Sequence, residues 1–174
     1  MHQIQADQTT RKARRRTRAN LTADGSALTN TTTETTLATH TVAANEFLAD
    51  SEVEIEGSIT VTSGNGNDTL TARVKLGGST LATSPAFDVT NAGDQIHFRV
   101  VGYWRTIGAS GKLVVKYANF SCNAQAAPIA GAIGVAGEIT LNTTGTLACI
   151  VTGQWSAASA SNSCKAQAFG YAHD

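Results

Sequence analysis

Leu70-Thr71-Ala72-Arg73-Val74-Lys75-Leu76-Gly77-Gly78-Ser79-Thr80-Leu81-Ala82-Thr83 alternates apolar and polar side chains, halts at two glycines and resumes with small and β-branched residues. A period of two places Leu70, Ala72, Val74 and Leu76 on one face and Thr71, Arg73 and Lys75 on the other, which is the pattern of a half-buried strand. The Gly-Gly pair suits a two-residue hairpin loop, so the stretch predicts two antiparallel strands with one wet face.

The same period recurs on either side. Thr36 to Val42 alternates short apolar and polar residues. Val53, Ile55, Ile59 and Val61 share one face, against Glu52, Glu54 and Glu56 on the other, with Gly57 read as a bulge. Ser63-Gly64-Asn65-Gly66-Asn67-Asp68 predicts an exposed turn, because these residues tolerate positive φ. Downstream, a connection with Pro85 and Asn91-Ala92-Gly93-Asp94 leads to a strand over 95–106, turned at 108–111 into a second over 112–120. Residues 124–137, rich in Ala and Gly, predict a long loop. Strands over 138–142, 146–155 and 164–171 follow, the last two joined by a small-residue turn. About eight strands at this spacing, with no sustained 3.6-residue period, predict an antiparallel β-sandwich.

With 174 residues, 41% of them hydrophobic, the chain can build one core and hardly two. No apolar run reaches the roughly 18 residues of a membrane helix. The start is polar from Met1 to Asn20, so a cytoplasmic site of synthesis is expected and no membrane partner. The Asn-x-Ser/Thr matches at Asn20, Asn30, Asn67, Asn119 and Asn142 read as by-products of Thr-rich composition. Cys122, Cys149 and Cys164 show no metal-ligand spacing and read as small buried hydrophobes; a Cys149–Cys164 pair across neighbouring strands is the sharper alternative. Neither a metal nor a cofactor is expected.

Charge divides the chain. The totals are 13 basic and 13 acidic residues, yet the first 18 residues carry Arg11, Lys12, Arg14, Arg15, Arg16 and Arg18 against Asp7 alone, leaving 7 basic against 12 acidic in the rest. The reading is an extended basic arm over 1–30 and a sandwich domain over 31–174. Such an arm can run over an acidic surface or grip the phosphates of nucleic acid.

No enzyme signature appears. His2, His40, His97 and His173 are scattered, no Ser occupies a Gly-x-Ser-x-Gly elbow, and there is no phosphate-binding loop. Glu54 and Glu56 could imitate a glycosidase carboxylate pair but read as solvated charges on an outward face. Asn65, Asn67 and Asp68 could form a weak calcium loop but read as a plain turn. Tyr103, Trp104 and Trp155 could stack on sugars; as strand aromatics they read as core or as an oligomer interface.

The runs Thr31 to Asn45, Val74 to Thr80, Arg105 to Gly111 and Trp155 to Ser163 resemble a jelly-roll domain of tailed-bacteriophage virion proteins, over roughly Thr31 to Tyr171. The resemblance implies a structural role: a decoration or cement protein on the outside of a phage head. It would be a homotrimer bound to the major capsid protein, located on the virion and assembled in the host cytoplasm. Two alternatives stay open. One is a minimal single-jelly-roll coat protein whose Arg-rich arm binds the packaged genome; the other is a host-glycan-binding head or tail spike using the loops around Asn65 and Asn91.

Overall fold

The structure, a computed structural model, describes residues 17–124 and 134–173. Among these residues there are thirteen strands and no helix: β1 (Thr17–Asn20), β2 (Leu28–Thr29), β3 (Thr35–Val42), β4 (Glu52–Ser63), β5 (Thr69–Leu76), β6 (Ser79–Thr83), β7 (Phe87–Asp88), β8 (Gln95–Thr106), β9 (Gly111–Cys122), β10 (Gly134–Val135), β11 (Glu138–Leu141), β12 (Leu147–Trp155) and β13 (Ser163–His173). The predicted loop over 124–137 lies mostly outside the described residues.

Two antiparallel sheets face each other as a sandwich. A seven-stranded sheet runs β1-β13-β4-β8-β9-β11, with β2 also on β13; a six-stranded sheet runs β10-β6-β5-β12-β3, with β7 also on β5. The pairs nest: β1 and β2 with β13, β3 with β12, β4 with β8, and β5 with β6. The Gly77-Gly78 hairpin joins β5 to β6, with φ of 56° and 84° at the two glycines. Positive φ at both central residues gives the twist that two right-handed strands require.

β1 and β2 fall inside residues 1–30, the segment expected to be an arm. Both pair with the same edge of β13, at its two ends. Between them Leu21 N–H donates to the Phe169 carbonyl (2.8 Å) and Gly25 N–H to the Ala166 carbonyl (2.8 Å). Residues 17–29 therefore follow β13 from end to end, and Leu28 is buried in the core.

The period of two sets the core. Val53, Ile55, Ile59 and Val61 of β4 meet Ile96, Phe98, Val100 and Trp104 of β8 and the inner residues of β5 and β12 in one cluster. Gly57 is not a bulge. β4 and β8 stay in register from Glu52 to Thr60, and the irregularity lies in β13, between Ala166 and Ala168, with Gln167 as the extra residue. That bulge turns the Ala168 carbonyl toward β4, so a Cβ at residue 57 would stand 2.3 Å from the Ala168 oxygen and 2.6 Å from the Phe98 ring. Gly57 is there because the two backbones approach too closely for a side chain.

Candidate functional site

Of the arm cations, Arg11, Lys12, Arg14, Arg15 and Arg16 lie outside the described residues. Arg18 belongs to β1, where its backbone pairs with Ala172. The basic run thus leads directly into a strand zipped to the edge of the seven-stranded sheet.

The proposed interface aromatics separate. Trp104 (0% exposed) and Trp155 (1%) sit wholly inside the sandwich and cannot anchor a partner surface. The reason is phase: even-numbered residues of β8 point inward opposite Val53 and Ile55, and Trp155 pairs with inward-facing Leu70. Their indole N–H groups have no partner among the described residues. Tyr103 faces outward, half-buried, with the Lys116 ammonium 5.9 Å from its ring centre.

Glu54 corrects the picture of solvated strand charges. It faces outward but is only 6% exposed, and its Oε1 accepts from Arg99 Nε at 2.5 Å. The Asn65–Asp68 turn is closed by its own groups. Asn162 donates its amide to Asp68 (2.8 Å) and accepts from Asn65 N–H (3.1 Å), so the Asp68 carboxylate serves the loop. At Asn91, the Asp94 carboxylate takes the N–H groups of Thr90 (2.9 Å) and Asn91 (2.8 Å). Among the described residues no three His, Cys, Asp or Glu side chains cluster as metal ligands.

All three cysteines are free and buried. Cys149 lies on β12 and Cys164 on β13, in different sheets, so the pairing across neighbouring strands does not occur. Burial pushes both thiols up to about 12, which makes them poor nucleophiles.

Two polar clusters had no clear signal in the sequence. At one end of the sandwich, Glu46 in the β3–β4 loop accepts from His173 Nε2 (2.8 Å), the Tyr171 hydroxyl (3.2 Å) and Ala43 N–H (2.8 Å). Burial favours the neutral acid there, but these donors outweigh it and hold the Glu46 carboxyl below its ordinary range. Burial, with the Glu46 charge beside it, pushes the Tyr171 phenol up to about 12. The second cluster is a groove of about 560 Å³ on the outer face of the seven-stranded sheet, over the β13 bulge. Asn20, Glu56, Ser58, His97 and Gln167 provide its polar lining, and Gly57, Ala168 and Gly170 its small-residue floor.

No protein-family model, curated protein or solved structure matches the chain.

Proposed function

We propose that the chain is a non-enzymatic virion structural protein: a jelly-roll decoration or cement protein that binds the outside of a phage head through its basic N-terminal segment. The nested pairing of β1/β2 with β13, β3 with β12, β4 with β8 and β5 with β6 supports the jelly-roll reading, since it is one long hairpin wound into two sheets. The observation that carries the role is the junction of the basic run with β1. In sequence Arg11 to Arg16 immediately precede β1, which holds Arg18 and pairs with β13, so the basic run is joined to the body at a defined place. Binding across joints between capsid subunits would stabilise the assembled shell by linkage, and a homotrimer would multiply the affinity.

The test uses virions assembled with wild-type protein, with residues 2–16 deleted, or with Arg14, Arg15, Arg16 and Arg18 replaced by Ala. The deletion keeps β1 and so keeps the fold. Decoration predicts that both variants leave the particle at lower salt while genome content stays the same. Empty or misassembled particles that retain the protein would overturn it in favour of an internal, genome-binding coat. Sedimentation tests the trimer: a strict monomer, both free at micromolar concentration and when crosslinked on the particle, would remove that part.

A further inference from the structure

The groove over the β13 bulge has Asn20 and Leu21 in its wall and Phe98 and Phe169 of the core at its base. We infer that it is a binding site for a neutral oligosaccharide, gripped by Asn20, Glu56, Ser58, His97 and Gln167, with Tyr117 on the adjacent β9, beyond the groove, as a stacking surface for a longer chain.

Three observations carry this. The first is that the depression is built into the backbone. An extra residue, Gln167, in β13 sets Ala168 opposite Ser58 and Gly170 opposite Glu56, so two small residues stand on the sheet's outer face beside the bulge. The absent side chain at Gly170 is required there, since a Cβ would stand 2.3 Å from the Asn20 amide oxygen. The resulting volume, about 560 Å³, falls in the ordinary range of ligand sites.

The second is the lining chemistry. Two amides, a hydroxyl, an imidazole and a carboxylate mix donors with acceptors, which matches sugar hydroxyls that are each both. The Gln167 amide is already oriented: its Oε1 accepts from Thr60 Oγ1 (2.7 Å) and Gln95 Nε2 (3.1 Å), so the NH₂ end is the one left to offer. Charge on this face is mixed, Glu54 and Glu56 beside Arg99, which suits a neutral ligand better than a phosphate-rich one.

The third is length. The polar rows continue across the sheet, Glu56 opposite Arg99 and then Asn119, and Ser58 opposite His97 and then Ser121. Tyr117, 49% exposed, stands on the same face of β9, one outward position beyond Asn119. From β1 to β9 the face crosses four strand spacings, roughly 19 Å, which suits a chain of sugar rings better than a single one. An exposed ring beside a polar trough matches the apolar face and hydroxyl edge of a pyranose.

The isolated full chain, ¹⁵N-labelled, is titrated with maltohexaose, cellohexaose and chitohexaose, and with a heparin hexasaccharide as the anionic control, each to about 10 mM so that millimolar affinity registers. The expected result is that at least one neutral hexamer shifts amides confined to residues 56–58, 97–99, 117–121 and 167–170, and binds more tightly than glucose. Tyr117→Ala should weaken it by about tenfold and Tyr117→Phe should retain it. The double change His97→Ala with Gln167→Ala should abolish it without lowering the melting temperature. Silence with all three neutral hexamers, shifts only with the heparin fragment, shifts elsewhere, or glucose binding as tightly as a hexamer would each overturn the inference. Particle attachment plays no part in this assay, so the groove and the decoration role stand or fall separately.

Discussion

On the outer face of the six-stranded sheet, Glu34 accepts from Lys75 Nζ (2.6 Å) and Thr152 Oγ1 (2.7 Å) and lies 3.5 Å from Arg73, which in turn donates to Gln154 (2.9 Å). On the outer face of the seven-stranded sheet the middle is a trough, floored by glycine and alanine and rimmed by side chains of mixed polarity. Both sheets bury the same kind of apolar inner face. They differ in what they offer to water. Both carry ion pairs, Glu34 with Lys75 and Arg73 on the first and Glu54–Arg99 and Glu52–Lys116 on the second, but the second also carries the N-terminal strands, the β13 bulge and the groove. The depression, not a lack of ion pairs, sets the second face apart, which is why the binding site is proposed there.

The sharpest way to break the comparison is to test whether the two inner faces are equivalent. Trp104→Ala in the seven-stranded sheet and Trp155→Ala in the six-stranded sheet should each cost about 3–5 kcal/mol in denaturant unfolding, through loss of burial and the cavity left behind. If either change left unfolding intact but altered sedimentation, that indole would be an interface residue after all.

Gly57 and Gly66 probe the trough next. A Cβ at residue 57 meets the Ala168 oxygen at 2.3 Å, whereas one at residue 66 meets nothing within 4 Å. Gly57→Ala should destabilise by about 1–3 kcal/mol and disturb amides of β13, while Gly66→Ala stays near neutral. Equal effects would deny that the bulge depends on the glycine.

The outward carboxylates should separate in the same way. Glu54→Gln leaves Arg99 facing a buried neutral amide and should cost about 1–3 kcal/mol. Glu34→Gln on the more open face should cost less than about 1 kcal/mol, with a dependence on salt. Urea melts at low and high salt decide it; a larger loss at Glu34 would reverse the ranking of the two faces.

The pH profile sharpens the contrast with the smallest signal. Glu34 and Glu46 are held below the ordinary glutamate value of 4.5: burial opposes the charge, but for Glu34 bonds from Lys75 and Thr152, and for Glu46 those from His173 and Ala43, outweigh it. Their contribution is present above about pH 4.5 and is lost as pH falls through the lowered folded values. Cys149 and Cys164, raised from 9.0, and Tyr171, raised from 10.0, all to about 12, act with the opposite sign. Stability is full below about pH 9 and falls as pH rises toward 12. Thermal melts should show a plateau between these limits. Glu46→Gln should shrink the acid limb, and an unchanged limb would remove Glu46 from the account.

Much of the fold was legible because it rests on a local rule. Alternation at 70–76 and 53–61, Gly77-Gly78, and the long run at 95–106 each state a strand, a face or a turn within a few residues, and the structure has β5, β4, the hairpin and β8 at those places. The site was far less legible. Glu54 carries the same signal as any outward strand carboxylate, and only its neighbours across β8 and β13 decide that it is buried. Trp104 and Trp155 announced large aromatics without the phase that sends them inward.

By itself, then, the sequence determined the strand class, most strand positions, the tight turns, the apolar faces and the division between a cationic start and a mildly acidic body. These follow from side-chain period, backbone freedom at glycine and formal charge, all of which act over a few residues. Only the tertiary structure decided that residues 17–29 run along β13, that Gly57 yields to a bulge in a strand more than a hundred residues away, and that Asn20, Glu56, His97 and Gln167 share one groove. Each of these depends on which strand lies beside which. That choice is set by packing the whole chain around one core, so it leaves no mark on any short stretch of sequence.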